Sequence, residues 1–350
     1  MVLVLAVGLL VVLGLGLTGV ISWSGFGGFA TPDLVNRQVF TASGLDAISA
    51  AYSSESITLR PAEGDEVVLE EYISSTDQRH QASFSQSGGR LDITHGERPA
   101  FIGIFGFRAK IILYVPASWD GDLTLKSSSG GVHAEHDISL RSLDAAATSG
   151  SVRFAGVKAA GDVTMRSSSG GVSADWIEAG GDADLQATSG SVRMGEVQAA
   201  AIKAHSSSGG VSFDAAGAAT IDASATSGSV KLGRVEGAFN LESSSGGVQV
   251  DGGSGHGYAR AGSGSVKLAL GTLTGDLEMR STSGGCRLEI PRNSAFNIEA
   301  STTSGSVKLP EGGSVSYSQK GNQASGSYGQ SPAHKVQMQA SSGSVRLEWD

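Results

Sequence analysis

A Ser-Gly-(Gly/Ser)-Val segment recurs along the chain, and it constrains the fold more than any other feature. The residues that end its copies are Val132, Val152, Val172, Val192, Val211, Val230, Val248, Val266, Cys286, Val307 and Val345. They follow one another in steps of 18 to 21 residues, apart from a last step of 38. A flexible Gly/Ser linker has no reason to keep a fixed period, whereas a period near 20 residues is typical of a solenoid.

Apolar residues stand at every second position on both sides of the segment, as Leu143 and Phe154 do around Val152. This alternation predicts strands with one buried face. The parity changes between Ser149 and Val152, so the chain must turn at the segment. We expect Ser149 and its equivalents to point inward at this corner. We expect Gly150 and its equivalents to adopt a positive φ, which costs glycine nothing.

Two versions of the segment alternate over the first eight copies. Gly-Gly-Val copies have serine five residues before the valine, and Gly-Ser-Val copies have alanine there. Two interpretations fit: coils of about 20 residues whose neighbours differ, or coils of about 40 residues with two corners each. We favour the shorter coil, because one unit already holds two or three short strands.

The regions outside the regular repeat predict further units. Residues 57–118 read as charged strands without the Ser-Gly period, which indicates an N-terminal β cap. The regular solenoid is predicted for residues 119–310, and residues 311–350 are predicted to form an irregular insertion followed by a last coil. Residues 24–56 are interpreted as a tether.

The N-terminal segment from Met1 to Ser22 carries no charge and is long enough to span a bilayer as a helix. Residues 1–23 are therefore predicted to be a transmembrane anchor, with a cleaved signal as the alternative. The predicted fold class is all-β: a single-stranded parallel β-solenoid (β-helix) of about 20-residue coils with an N-terminal β cap, preceded by one transmembrane helix. The protein is expected in the cell membrane as a single-pass protein, with its C-terminal domain extracytoplasmic.

The formal net charge of −9 argues against nucleic acid as a partner, since a basic footprint is missing from the composition. Cys286 is the single cysteine, so neither an intrachain disulfide nor a cysteine-based metal site can form.

Three stretches carry a resemblance to a known family: "KIILYVPASWDGDLTLKSSSGGV", "LEIPRNSAFNIEASTTSGSVKL" and "HKVQMQASSGSVRLEWD". They resemble the bacterial "putative adhesin" repeat domain family of unknown function, whose LiaG-like members are membrane-anchored. The resemblance covers roughly residues 57–350. It implies an extracytoplasmic β-solenoid in an envelope context, and it brings no catalytic residues with it.

Residue types suited to catalysis are present but not clustered. Asp122, Asp162, Asp182 and Asp276 recur after glycine at the start of strands, which turn chemistry explains. The seven histidines are scattered along the sequence, and no metal pair is expected from them. We therefore expect a protein that is not an enzyme, with no catalytic, cofactor-binding or metal-binding residues and no cofactor.

A basic residue follows the valine in every Gly-Ser-Val copy and in the Cys286 copy. These residues, named the basic stripe below, are Arg153, Arg193, Lys231, Lys267, Arg287, Lys308 and Arg346. Their parity points them outward. One interpretation is a solvated face that discourages aggregation of exposed strands. The other is a docking stripe for anionic envelope polymer or lipid head groups.

The sequence thus predicts a membrane-tethered structural or interaction module of the cell envelope, adhesin-like in character. Its expected partners are the membrane through the N-terminal helix and an envelope polymer or a membrane protein. A regulatory component of envelope-stress signalling is one alternative, and a carbohydrate-binding or carbohydrate-active protein is another.

Overall fold

The computed structural model describes residues 33–98, 109–318 and 320–350 of the chain. Within these ranges the regular structure is β-strand, apart from one 3-10 helix at Gln78–His80. The predicted all-β class is confirmed. The transmembrane helix predicted at residues 1–23 lies outside the described residues, and no helix inside them is long and apolar enough to cross a membrane.

The strands fall into an N-terminal group, a regular array and a C-terminal group. The N-terminal group is β1 (Asp33–Thr41), β2 (Ala47–Tyr52), β3 (Ser56–Ala62), β4 (Glu66–Ile73), β5 (Ser83–Ser87), β6 (Arg90–Thr94) and β7 (Ala109–Pro116). The array is β8 (Asp122–Ser127), β9 (Val132–Ala134), β10 (Ile138–Leu140), β11 (Ser142–Ala147), β12 (Val152–Ala159), β13 (Val163–Ser167), β14 (Val172–Ala179), β15 (Ala183–Ala187), β16 (Val192–Gln198), β17 (Ala201–Ser206), β18 (Val211–Ala225), β19 (Val230–Ser243), β20 (Val248–Val250), β21 (Gly253–Ala261), β22 (Val266–Ala269), β23 (Thr272–Ser281) and β24 (Cys286–Ile290). The C-terminal group is β25 (Phe296–Thr302), β26 (Val307–Lys308), β27 (Ser314–Tyr317), β28 (Gln323–Tyr328), β29 (His334–Ala340) and β30 (Val345–Trp349).

In the array, each coil is one repeat unit that pairs in parallel with the next unit along the chain. Val132 is paired with Val152, and Val152 with Val172, a step of 20 residues each time. The corner separates two strands in every coil, for example β13 before it and β14 after it. Outward residues of the strands before the corner form what we call the first face. Those of the strands after the corner form the second face.

At both ends of the stack the order of coils in space departs from their order in the chain. The coil made by β2 and β3 lies between the coil of β6 and β7 and the coil of β8 and β9. The coil made by β29 and β30, which is last in the chain, lies between the coil of β23 and β24 and that of β25 and β26. Each end therefore encloses one coil between two others that are consecutive coils in the chain.

The prediction of a simple parallel solenoid is wrong, because the sheet is mixed. Antiparallel pairs join β1 to β4, β4 to β7 and β5 to β6 at the N-terminal end, and β25 to β28 and β27 to β28 at the C-terminal end. The physical reason is that a stack of parallel coils ends in open strand edges, which must be covered. Short connections can bring only antiparallel strands onto such an edge. Within the segment interpreted as a tether, residues 33–41 form β1, residues 47–52 form β2 and residue 56 begins β3.

The corner works differently from the sequence expectation. None of the eleven corner glycines is among the residues with positive φ. A Cβ on Gly150 would instead overlap the carbonyl oxygen of Gly130 in the coil before it, and a Cβ on Gly170 would overlap that of Gly150. Glycine is required because successive coils approach too closely for any side chain. The expectation of an inward serine at Ser149 and its equivalents is also wrong, since all of them are exposed.

The core is a set of columns, each built by equivalent residues of successive coils. The valine column is fully buried along the array, and Cys286 occupies a valine place within it at 1% exposure. The Cys286 thiol donates to the carbonyl oxygen of Gln339 at 3.3 Å, and burial raises its pKa to about 12. A thiol in this state packs as a small apolar side chain and is a poor nucleophile.

Candidate anionic-polymer interface

At the corners, hydroxyl groups join neighbouring coils, as at Gly150 and Gly171. Ser167 Oγ donates to the carbonyl oxygen of Gly150 at 2.8 Å. In the other direction, the backbone N–H of Gly171 donates to Ser151 Oγ at 3.3 Å. The buried hydroxyl comes from the Gly-Gly-Val coil and the second hydroxyl from the Gly-Ser-Val coil before it. Both satisfy backbone groups that the turn leaves without a strand partner.

The same hydrogen bonds recur along the stack. The first kind runs from Ser127 to Glu55, Ser206 to Gly190, Ser243 to Gly228, Ser281 to Gly264 and Thr302 to Gly343, with lengths of 2.7 or 2.8 Å. The second kind also joins Gly131 to Ser56, Gly247 to Ser229 and Gly285 to Ser265. The coils are therefore coupled in twos, and this is the physical origin of the alternation in the sequence.

The alternation follows neighbours in space and not in the chain. In the chain, Ser281 is followed by Thr302 and then by Ala340, which breaks the alternation of hydroxyl and alanine. In the structure, Ala340 is paired with Ser281 on one side and with Thr302 on the other. The alternation is therefore unbroken from Ser127 to Thr302 once the coils are taken in their spatial order.

The coil pairing brings the seven residues of the basic stripe into a single register column on the second face. Taken in spatial order, the column reads His133, Arg153, Ser173, Arg193, Ser212, Lys231, Gln249, Lys267, Arg287, Arg346 and Lys308. All seven basic residues are exposed. Neighbouring members of the column are about 4.8 Å apart, the spacing of hydrogen-bonded strands.

Two members of the basic stripe are engaged in ion pairs. Arg287 forms an ion pair with Glu348 and lies 3.8 Å from Glu289, and Arg346 lies 3.0 Å from Glu348. Among the described residues, the other five members have no carboxylate within 4 Å. These five are Arg153, Arg193, Lys231, Lys267 and Lys308.

A second column lies two residues further along each strand and carries the opposite charge. It is acidic in the Gly-Gly-Val coils, at Glu135, Asp175, Asp214 and Asp251. In the Gly-Ser-Val coils from Val152 to Val266 it is small, at Ala155, Gly195, Gly233 and Ala269, whereas the last three coils carry Glu289, Glu348 and Pro310. A cation in one coil thus has a small residue beside it and acidic residues beside the neighbouring neutral positions.

Shallow depressions lie beside the basic stripe. One is lined by His133, Glu135, Arg153, Ala155, Ser173 and Asp175, and two more lie along Lys231, Gln249 and Lys267 and along Lys267, Ala269 and Arg287. His133 is half-buried in the first depression. Burial and the neighbouring Arg153 lower its pKa below the ordinary value of 6.5. The imidazole is therefore neutral at neutral pH and offers a hydrogen bond without a charge.

The first face carries charges of both signs, and most of its cations in the described ranges are paired, with Lys203 and Arg260 as the exceptions. Lys126 lies 3.2 Å from Asp144, and Arg166 lies 2.6 Å from Asp184. Further along, Arg280 forms an ion pair with Glu278 in its own strand. This face therefore offers a partner less uncompensated charge than the second face does.

Three of the four aspartates singled out as acid candidates, Asp122, Asp162 and Asp276, accept structural hydrogen bonds. Asp122 Oδ1 accepts from Arg141 Nε at 2.9 Å and from Ser142 Oγ at 2.7 Å, and the pKa of Asp122 is lowered chiefly by the Arg141 hydrogen bond. Asp162 Oδ1 accepts from the backbone N–H of Asp182 at 2.9 Å. Within the described parts of the chain, no group of three or more His, Cys, Asp or Glu residues could hold a metal ion.

One buried polar cluster gave no signal in the sequence. Glu71 is fully buried between β1 and β2, where its carboxylate accepts from Asn36 Nδ2 at 2.7 Å, Ala82 N at 2.8 Å and Tyr52 OH at 3.2 Å. Burial, followed by the Glu71 charge, raises the pKa of Tyr52 well above its ordinary value. Three donors satisfy this carboxylate, so the cluster is explained by its role in fixing the N-terminal strands.

Comparison with known proteins identifies the family. The model of the Toastrack family (Toastrack DUF4097) matches two segments, residues 45–241 and 235–348, which together span most of the chain. The chain belongs to the Toastrack family. The resemblance inferred from the three sequence stretches is thereby confirmed. A search of the curated proteins found no match.

Solved structures similar to this Toastrack chain are distant in sequence. A putative adhesin from Parabacteroides merdae is 13% identical with a TM-score of 0.37, covering 89% of this chain and 95% of its own. A putative adhesin from Parabacteroides distasonis is 14% identical with a TM-score of 0.36, covering 89% and 96%. One from Bacteroides fragilis is 11% identical with a TM-score of 0.30, covering 89% and 96%. TM-scores this low do not establish a shared fold, so the assignment rests on the family match.

Proposed function

We propose that this Toastrack protein is an adhesin-like interaction module of the cell envelope that binds linear anionic polymers along the basic stripe, without turning them over. The observation that carries the proposal is the register column on the second face. Five of its exposed cations have no carboxylate within 4 Å among the described residues. The column runs parallel to the axis of the stack, as a linear polymer lying on it would.

The arrangement suits weak contacts that add up. A single exposed ion pair contributes little, about 0.2–1 kcal/mol. Several such contacts to one polymer act together, because the first contact raises the effective concentration of the next charge at its site. A rigid column of cations also loses no backbone entropy when it binds. Because the net charge is negative, attraction of a polyanion depends on local groups of cations such as the basic stripe.

The test measures binding of the full chain to anionic polysaccharides by isothermal titration calorimetry at low and high salt. The stripe variant carries Arg153→Gln, Arg193→Gln, Lys231→Gln and Lys267→Gln. Its matched control carries Lys126→Gln, Arg166→Gln, Lys203→Gln and Arg260→Gln, four exposed cations of the first-face strands. Both variants change the net charge by the same amount.

We expect the stripe variant to bind at least about tenfold more weakly, with a shallower salt dependence. The control variant should retain binding within about twofold. Equal losses in both variants, or no measurable binding of any anionic polysaccharide by the unmodified chain, would overturn the proposal. Circular dichroism of both variants verifies that the fold is kept.

The cellular location belongs to the same proposal. An anionic polymer of the envelope can reach the basic stripe only if the coil stack is extracytoplasmic. Proteolysis of intact cells tests this point, since external protease should then degrade the coil stack while a cytoplasmic marker protein stays intact. Protection of the stack until the cells are lysed would contradict an extracytoplasmic position.

A further inference from the structure

The basic stripe has a charge period that restricts which polymer fits it. Between His133 and Lys267, cations occur only in alternate coils, at Arg153, Arg193, Lys231 and Lys267. Neighbouring cations are thus two coils apart, about 10 Å. The four cations span six coil steps, or roughly 29 Å.

The positions between these cations carry neutral side chains that form hydrogen bonds. They are Ser173, Ser212 and Gln249, and His133 precedes Arg153 in the same way; all four are partly exposed. Gln249 Nε2 already donates to Asp251 Oδ1 at 2.6 Å, which leaves its carbonyl oxygen toward a partner. A ligand along the column therefore meets a charge and then a neutral hydrogen-bonding group, in strict turn.

The neighbouring acidic column repeats the same period one coil out of phase. Glu135, Asp175, Asp214 and Asp251 lie in the coils that have no cation, two residues from the neutral positions. A negative charge of the ligand placed at a neutral position would lie beside an acidic residue. That coil has no cation in the column to offset the repulsion. Like-charge contacts of this kind reject the wrong ligand, so the acids act against polymers with a closer charge period.

We infer that the stripe selects a linear polysaccharide with one carboxylate per disaccharide, its charged sugars over the cation coils and its neutral sugars over the coils between. A β-linked disaccharide of pyranose sugars is close in length to two coils, about 10 Å. The small residues beside the cations, such as Ala155 and Gly195, leave room for a sugar ring. This inference rests on the proposed function and adds to it the class of polymer.

Other polyanions fit this pattern less well. A nucleic acid strand carries a phosphate every 3.4 Å or so of helix axis, roughly three charges per cation interval. A homopolymer of uronate carries one carboxylate per sugar and would place every second charge beside the acidic column. An anionic lipid surface has no linear period, and it would meet the acidic column as closely as the cations.

The test compares two probes of equal length, hyaluronate and polygalacturonate, on the full chain. Hyaluronate has one carboxylate per disaccharide, and polygalacturonate has one per sugar. We expect hyaluronate to bind at least about tenfold more tightly per carboxylate, although its charge density is lower. A purely electrostatic stripe would prefer polygalacturonate.

Two variants test the pattern in the direction of gained binding. Ser173→Arg, Ser212→Arg and Gln249→Lys together place a cation in every coil, and we expect the preference to move toward polygalacturonate by about tenfold or more. Asp175→Asn, Asp214→Asn and Asp251→Asn remove the out-of-phase acids, and polygalacturonate binding should rise while hyaluronate binding changes little. The charge-matched control for the first variant places Thr124→Arg, Thr164→Arg and Gln186→Lys on the first face.

The outcomes separate the two proposals. Equal or stronger binding of polygalacturonate by the unmodified chain, lost in the stripe variant, overturns the charge period and leaves the interaction stripe standing. Binding of neither probe, nor of any other anionic polysaccharide, overturns both. A preference for hyaluronate that the stripe substitutions leave unchanged overturns both as well, since the site would then lie elsewhere.

Discussion

The two outer faces of the coil stack share one period and one fold, yet their charges are arranged differently. On the first face, Lys126 and Arg166 lie within 3.2 Å of Asp144 and Asp184 in neighbouring coils. On the second face, Arg153 has no carboxylate within 4 Å among the described residues, although acids lie in the coils on both sides of it. Paired charges keep a face soluble, whereas unpaired charges in a column remain available to a partner.

In a solenoid, the residues that fold the chain and the residues left to contact a partner are separate sets. Inward positions and the corner set the stacking, and every second residue of each strand is left to the surface. Because coil types alternate, any residue tied to one type recurs at twice the coil spacing. The hydroxyl pair of the corner thereby sets the period of the charges outside it.

The largest expected effect comes from breaking the corner that both faces share. Gly190→Ala should lower the free energy of unfolding by about 3 kcal/mol or more, since its Cβ would overlap the carbonyl oxygen of Gly170. Urea denaturation measures the change. Gly64→Ala is the matched control, because a Cβ there meets nothing within 4 Å and its φ is not positive. Similar losses for both variants would contradict the close-approach explanation.

A smaller effect is expected from removing one corner hydroxyl. Ser206 is fully buried, and its Oγ donates to the carbonyl oxygen of Gly190 at 2.8 Å. Ser206→Ala should cost about 1–2 kcal/mol in the free energy of unfolding, because a buried carbonyl loses a donor. Ser208→Ala, at the exposed serine of the same corner, should cost less than about 0.5 kcal/mol. A larger loss for Ser208→Ala than for Ser206→Ala would mean that Ser208 points inward, as parity predicts.

Double-mutant cycles measure how strongly charges are coupled on each face. Arg166→Ala and Asp184→Ala on the first face should show a coupling energy of about 0.3–1 kcal/mol. Arg153→Ala and Asp175→Ala on the second face should show a coupling near zero, because no ion pair joins them. Thermal or urea unfolding at low salt supplies the four free energies of each cycle. A larger coupling energy on the second face would mean that Arg153 is already paired with Asp175.

The smallest effect is a change in one pKa on the second face. Arg153 is the second cause, after burial, that lowers the pKa of His133. Arg153→Gln removes the like charge and should raise the pKa of His133 toward its ordinary value, as followed by an NMR titration of the imidazole. Lys126→Gln on the first face is the control and should leave that pKa unchanged. If the pKa of His133 is the same in Arg153→Gln, the charge of Arg153 does not act on the imidazole.

Much of this architecture can be predicted from the sequence. The valine period gives the coil, and the alternation of Leu143, Val152 and Phe154 gives the buried columns. Outward placement of the basic stripe follows from the same parity. The order of the end coils does not follow from the repeat, because the repeat predicts that coils adjacent in the chain are paired.

The missed features have identifiable physical causes. The strand before the corner ends at the buried residue five before the valine, such as Ser167, so parity counted onward to Ser169 no longer applies. The sequence alone does not distinguish a glycine required by close backbone approach from a glycine required by a positive φ. The order of the end coils did leave a signal: Ser281, Ala340 and Thr302 alternate only when the last coil is placed between the other two.

Lysine footprinting of the unmodified full chain, with and without bound hyaluronate, tests directly whether the polymer lies on the second face. Acetylation rates at each lysine are measured by mass spectrometry under native conditions. We expect bound hyaluronate to slow acetylation of Lys231 and Lys267 on the second face. The acetylation rates of Lys126 and Lys203 on the first face should be unchanged. Equal protection of the four lysines, or protection of the first-face pair alone, would contradict binding along the basic stripe.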